Sequence, residues 1–136
     1  MENIFLPNDI NVFYVEATSF PEGIKASHDK LHELVPDFFN RRFFGLSRPE
    51  NGVIAYKAAA EELKPGEGAT LKCDTLVIRK GNYFSLKMKN YMSDLPGIGR
   101  AFDELLDHPG LDPQGYCVEW YISDKEMICM VRLEEQ

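Results

Sequence analysis

Sliding the chain against itself by 74 residues lays the elements of one half over those of the other, and nothing else in the sequence constrains the fold as strongly. Ile24 falls on Ile98, Asp29 on Asp103 and Leu31 on Leu105, while Phe44 falls on Val118, Val53 on Met127 and Ile54 on Ile128. Helix and hairpin therefore keep one register. The first strands, Val12 to Glu16 and Phe84 to Met88, need a slip of a residue or two. Apolar periodicity alone would allow such a match by chance. Against chance stand the Pro-x-Gly and Pro-Gly pairs that open both helices and the agreement in element order.

Each half reads as a strand, a helix and a hairpin. Ile10 to Thr18 is rich in β-branched and aromatic residues, and Ser19-Phe20-Pro21-Glu22-Gly23 supplies a turn before a helix that starts at Ile24 and stops at Pro36. Phe43 to Ser47 and Val53 to Ala60 make a hairpin across Arg48 to Gly52, although Ala58 to Leu63 also has helical propensity. Lys64 to Gly68 is a loop and the seam between halves. Thr75 to Lys80 and Tyr83 to Lys89 alternate around Gly81-Asn82. A helix from Leu95 to Pro109-Gly110 follows, then the strands Cys117 to Ser123 and Met127 to Leu133. The expected fold is α+β, one domain over 1–136. It is a duplicated strand-helix-strand-strand unit, about 10–63 and 73–135, with pseudo-twofold symmetry, antiparallel sheets, two main helices on one side and a cleft between the copies.

Composition narrows the partners. With 44% hydrophobic residues, 136 residues suffice for one core. The 22 acidic residues outnumber 15 basic ones, and a formal charge of -7 repels a phosphate backbone, so direct nucleic-acid binding is not expected. No basic leader with an apolar run and no apolar stretch of about 20 residues is present, so the expected location is the cytoplasm, without membrane contact. Cys73, Cys117 and Cys129 are an odd set without CxxC spacing and read as core residues. His28 and His32 stand one helical turn apart among polar residues with no third ligand; they read as an exposed helix face, and neither a metal nor a cofactor is expected. Gly97-Ile98-Gly99 is too short a fragment for a dinucleotide loop, and no Ser-His-Asp order is visible.

Two stretches carry a resemblance. Val77-Ile78-Arg79-Lys80-Gly81-Asn82-Tyr83-Phe84, followed by Tyr91 and the helix from Leu95, resembles a strand and turn of the GyrI-like family, the effector-binding domains of multidrug-responsive bacterial transcription activators. Cys117-Val118-Glu119-Trp120-Tyr121 with Met127 to Leu133 resembles the family's strand in which a glutamate two places before a tyrosine faces the pocket. Asn90 stands where many members have glycine. The resemblance implies a concave face that binds hydrophobic, often cationic compounds, with Glu119 as the acidic anchor. It implies two other roles as alternatives: hydrolysis of cyclopropane-containing DNA-alkylating natural products, and docking of an effector module onto a separate regulator chain. No helix-turn-helix is visible, so the chain is expected to be free-standing, as a monomer or homodimer.

Strand alternation sets Cys117, Glu119 and Tyr121 on one face and Val118, Trp120 and Ile122 on the other. A strand apolar on both faces is central and covered, which leaves Glu119 in a largely desolvated setting. There it either joins aromatic walls in a cage for a lipophilic cation or pairs with Lys87 or Lys89 across the sheet. Tyr14, Phe84, Tyr91 and Tyr121 are the candidate walls, and Trp120 is a further candidate ligand contact. In an enzyme Glu119 would be the general base. Cys117 shares its face, but a neighbouring acid raises a thiol's pKa, so Cys117 reads as packing rather than as a nucleophile.

Overall fold

The computed structural model describes residues 1–35 and 40–135. In chain order the elements are β1 (Glu2–Leu6), β2 (Ile10–Glu16), α1 (Ile24–Leu34), β3 (Phe43–Glu50), β4 (Val53–Glu61), α2 (Glu67–Thr70), β5 (Asp74–Ile78), β6 (Gly81–Lys89), a 3-10 turn at Tyr91–Ser93, α3 (Pro96–Leu105), β7 (Cys117–Tyr121) and β8 (Glu126–Arg132). The class is α+β. All eight strands belong to one antiparallel sheet, in the order β1-β6-β8-β7-β3-β4-β2-β5, rather than to separate sheets.

That order forces the sheet to curl. β1 and β2 sit near opposite ends of it, yet only Pro7, Asn8 and Asp9 connect them, and β5 reaches β6 through Arg79 and Lys80 alone. A flat sheet would set β1 and β2 roughly 30 Å apart at about 4.8 Å per strand. The three-residue link reaches no more than roughly 14 Å. The two ends therefore meet, and the Lys80 N–H donates to the Asp9 carboxylate across the junction at 2.8 Å.

Curling separates two faces. The concave face is filled by Val12, Phe44, Leu46, Ala59, Val118 and Met130, with Leu6, Ile10 and Ile78 contributed from the joined ends. The convex face carries both long helices. Leu31 of α1 packs with Phe13, Phe43, Ala58 and Ala60, and Ala101, Phe102 and Leu105 of α3 pack with Met127, Cys129 and Val131. The small side chains of Ala58 and Ala60 let α1 lie close over β4.

Ala58 to Ala60 belong to β4, within the strand expected over Val53 to Ala60, and their complete burial overrides the helical propensity of the run. Other expectations are corrected. β1 was not foreseen; it is short, and its Phe5 is exposed. The seam loop is partly helical, with α2 starting at Glu67. The first hairpin turns on Asn51-Gly52 alone, both at positive φ (55° and 82°), so its strands run on through Glu50 and from Val53. α3 ends at Leu105, before Pro109-Gly110. Pro36, the expected stop for α1, lies outside the described residues. Among the described residues no helix is long and apolar enough to cross a membrane.

Candidate functional site

β7 lies inside the sheet, paired with β3 on one side and β8 on the other. Its alternation turns Cys117, Glu119 and Tyr121 to the convex face, where Tyr121 packs against the clusters of both α1 and α3. Glu119 thus lies between the two helices and is only 9% exposed. The resemblance implied a concave anchor. The structure places Glu119 on the helix-covered convex face instead, because that is where Phe43, Gly45 and Ala58 of the neighbouring strands project.

The polar groups around Glu119 form one series. Its Oε1 accepts from the Tyr56 hydroxyl at 3.0 Å and from the Tyr121 hydroxyl in a short contact, and the two hydroxyl oxygens are 3.2 Å apart. The Nε2 of His28 lies 2.8 Å from the Tyr56 oxygen. Each phenol has one proton, and both are directed to Glu119. The Tyr56 oxygen must then accept from His28, which assigns the neutral imidazole with its proton on Nε2. Burial agrees with that assignment, holding the His28 pKa down at about 4.

A missing side chain makes room for this cluster. Gly45 of β3 lies directly opposite Glu119. A Cβ on it would stand 2.2 Å from the Tyr56 hydroxyl oxygen and 2.7 Å from Glu119 Oε1. Only a hydrogen fits there.

Burial raises the pKa of the Glu119 carboxyl, against the opposing pull of its two phenol hydrogen bonds. Burial and then the Glu119 charge raise Tyr56 and Tyr121 in turn, and push Cys117 to about 11 and Cys129 to about 12. Among the described residues no cation pairs with Glu119. Lys87 is opposite Ile128, on the other face, and pairs with Glu126 at 2.9 Å; Lys89 is likewise at the Glu126 end of the strand. The cross-sheet pairing weighed from the sequence is therefore overturned. No donor among the described residues reaches Oε2, and that oxygen is not among the sealed, unpartnered polar atoms.

The other expected site residues divide between the faces. Tyr91 adjoins the cluster, its ring 5.9 Å from that of Tyr121 and its hydroxyl donating to the Ser123 carbonyl at 3.1 Å. Asn90, before it, has φ 55°, a left-handed geometry that asparagine tolerates better than most residues, in a place where glycine is common. Phe84 is on the convex face but packs under α3 against His108, 4.7 Å between rings. Tyr14 and Trp120 are not walls of this site. They lie on the concave face, Tyr14 opposite Ala59 with the Lys57 ammonium 5.4 Å from its ring, and Trp120 6.1 Å from Phe44.

His28 and His32 are not on an exposed face either. His28 turns inward onto Tyr56 and Tyr121, and His32 lies 4.8 Å from the Phe43 ring. His28, Gly45 and Tyr56 are the members of the site that sequence reasoning missed. A glycine within the apolar strand FFGLS was the one available signal of close approach. Hollows of about 310 Å3, beside Leu34 and Leu71, and about 170 Å3, on the concave face, are both lined without Glu119.

No family model matches the chain, and none of the curated proteins compared matches it. Its fold is shared with solved structures. An integron cassette protein from the mobile metagenome of Vibrio cholerae is 14% identical, with 98% of this chain and 95% of that one covered at a TM-score of 0.68. SAV2435 bound to tetraphenylphosphonium is 11% identical, with 98% and 94% covered at 0.64. A hydrolase from Listeria innocua is 9% identical, with 98% and 91% covered at 0.60. At these identities the likeness establishes the fold.

Two outcomes follow from the geometry. Gly45→Ala should cost about 1–3 kcal/mol in chemical denaturation, because Tyr56 or Glu119 must shift. The second concerns pH. A His28 held at about 4 when folded and near 6.5 when unfolded contributes stability that is fully present above pH 6.5 and lost as pH falls toward 4. Glu119, raised in the folded state, works in the opposite sense, so the readout is the difference from His28→Gln. The wild type should gain on that variant by up to about 3 kcal/mol between pH 4 and 6.5, measured by denaturant melts across the range.

Proposed function

We propose that the site around Glu119 binds a hydrophobic, cationic small molecule, and that the chain is a GyrI-like domain built from two copies of one unit. The observation that carries the first reading is a carboxylate buried against two phenols with no cation beside it among the described residues. A buried carboxylate is costly unless a positive charge compensates it. A lipophilic cation sheds its weak hydration readily, and tyrosine ring faces add cation-π attraction. Phe20, 43% exposed with its ring 6.1 Å from that of Tyr56, offers apolar surface at the edge of the site. Tetraphenylphosphonium, bound by the similarly folded SAV2435, is a cation of this class.

The register between β3 and β7 supports duplication. Gly45 and Glu119, 74 residues apart, are paired, and moving the Phe44–Trp120 pair by the same shift places it on Val118–Leu46, also a pair. A twofold axis passing between the two strands would produce this register.

Titrating the protein with tetraphenylphosphonium by calorimetry from pH 5 to 8 tests the binding reading. Affinity should rise with pH, because the proton that burial favours on Glu119 must leave before the cation can pair with it. Glu119→Gln should lose at least about tenfold, or about 1.4 kcal/mol, and flatten the pH dependence. An unchanged affinity in that variant would overturn the reading.

A second reading, hydrolysis of cyclopropane-containing alkylators, is favoured by the hydrogen-bonded series from His28 through Tyr56 to Glu119. Glu119 would take a proton from water while the water oxygen bonds to a ring carbon. The strained C–C bond breaks as it does so, the Tyr121 hydroxyl protonates the departing fragment, and the proton on Glu119 then passes to the Tyr121 oxygen along their hydrogen bond. Incubation with such a compound should yield a product heavier by one water in mass spectrometry, with turnover abolished in Glu119→Gln. No product from the wild type would sink this reading and leave the binding one standing.

A further inference from the structure

The concave face offers a second place for a ligand, with the opposite charge preference. Its hollow of about 170 Å3 has an apolar floor of Leu46, Ile78 and Val118. Arg48, Arg79 and Arg132 also line it, one from β3, one from the β5–β6 link and one from β8, and the Arg79 charge acts on the Tyr83 hydroxyl in the same lining. They meet there only because the sheet curls its ends together.

The three arginines are committed to different degrees. Arg132 is held on every side: it donates to the Lys80 carbonyl from Nε and Nη2 at 3.0 and 2.8 Å, to Asp112 at 3.0 Å and to Glu135 at 2.9 Å. The Asp112 carboxylate lining the hollow is thereby neutralised. Arg48 lies 4.1 Å over the Tyr116 ring and donates to Glu50 and to the Gln114 carbonyl, each at 2.9 Å. Arg79 is different. Its backbone carbonyl accepts from the Tyr83 hydroxyl at 2.6 Å, but among the described residues its guanidinium has no carboxylate or carbonyl partner. The charges of Arg132 and Arg79 also bear on the Tyr83 hydroxyl, which burial pushes to about 12 against their pull.

We propose that this concave hollow binds a small aromatic carboxylate, its ring on Leu46, Ile78 and Val118 and its carboxylate on Arg79. The size fits one ring, since an apolar cavity of about 150 Å3 accepts benzene. A planar guanidinium matches a carboxylate in two parallel hydrogen bonds. The net charge of -7 does not forbid this, because exposed charges beyond about 8 Å are screened at physiological salt, leaving the nearby arginines to decide. This site is on the opposite face of the sheet from Glu119 and takes the opposite charge, so the two proposals stand or fall separately.

The test uses the full chain and two probes, benzoate and the neutral benzamide, followed by amide chemical shifts in two-dimensional NMR. Benzoate should shift the amides of Ile78, Gly115 and Val118 and bind at least fivefold more tightly than benzamide. Arg79→Ala should abolish that preference while Arg79→Lys retains part of it, and Glu119→Gln should leave benzoate binding unchanged. Equal binding of the two probes, an unaffected Arg79→Ala variant, shifts confined to the Glu119 face, or no saturable shift up to 10 mM (a limit on the order of weak-fragment affinity) would each overturn the proposal.

Discussion

A carboxylate with two phenols pressed onto one of its oxygens, at the seam where β3 meets β7, sets the terms for its neighbours. Oε1 of Glu119 can take both hydroxyl protons only if the Tyr56 and Tyr121 side chains converge over β3, and that convergence occupies the space where a side chain at position 45 would stand. It also fixes His28 from a distance. With the Tyr56 proton spent on Glu119, the Tyr56 oxygen needs a donor, and the inward-facing imidazole of α1 provides it. One buried acid thereby dictates a glycine, two tyrosines and the tautomer of a histidine on three strands and a helix.

The curl of the sheet decides which chemistry goes where. Short links between β1 and β2 and between β5 and β6 pull the sheet ends together, so one face closes on itself and the other must be covered by helices. The closed face gathers Tyr14, Trp120, Lys57 and the arginines; the helix-covered face gathers Glu119, Tyr56, Tyr121 and His28. Successive residues of a strand serve opposite sides: Tyr56 donates to Glu119, while Lys57, next in the chain, pairs with Glu16 and Glu50 at 3.4 and 3.3 Å on the far face. Lys57 and the three arginines of the hollow thus lie on one side of the sheet, while its other side holds an acid that no cation among the described residues pairs with.

What could be read from the sequence is what depends on local periodicity. Ile24, Leu31 and Leu34 recur at helical spacing and α1 is found at Ile24–Leu34; a turn is found within Arg48 to Gly52, though only at Asn51-Gly52; alternation in CVEWY puts Glu119 and Tyr121 on one side. What depends on pairing between distant segments was not legible. Nothing near Tyr56 says that its ring will lie over Gly45, since that follows from the registers of β4 on β3 and β3 on β7. Nothing near Tyr14 says which face it will join. His28 stands four residues after Ile24 and three before Leu31, on the inward stripe of α1, but the polar Ser27 and Asp29 on either side of it made it read as surface.

The helix-covered face is assembled so that Glu119 is held but not satisfied. Its Oε1 has two donors, whereas Oε2 has none among the described residues and is not sealed. A fully compensated carboxylate would contribute only to the fold, because any partner that displaced its salt bridge would first have to break it. A carboxylate left in water would pair with a cation for little gain. Glu119 lies between those limits, with burial working against its charge and the phenols working for it, and under the proposed reading an incoming cation would supply what the protein withholds. If the site binds as proposed, the energy spent on keeping the acid half-satisfied in the empty protein would be recovered only when a positive charge arrives, and occupancy would depend on the ligand's charge rather than on its shape alone.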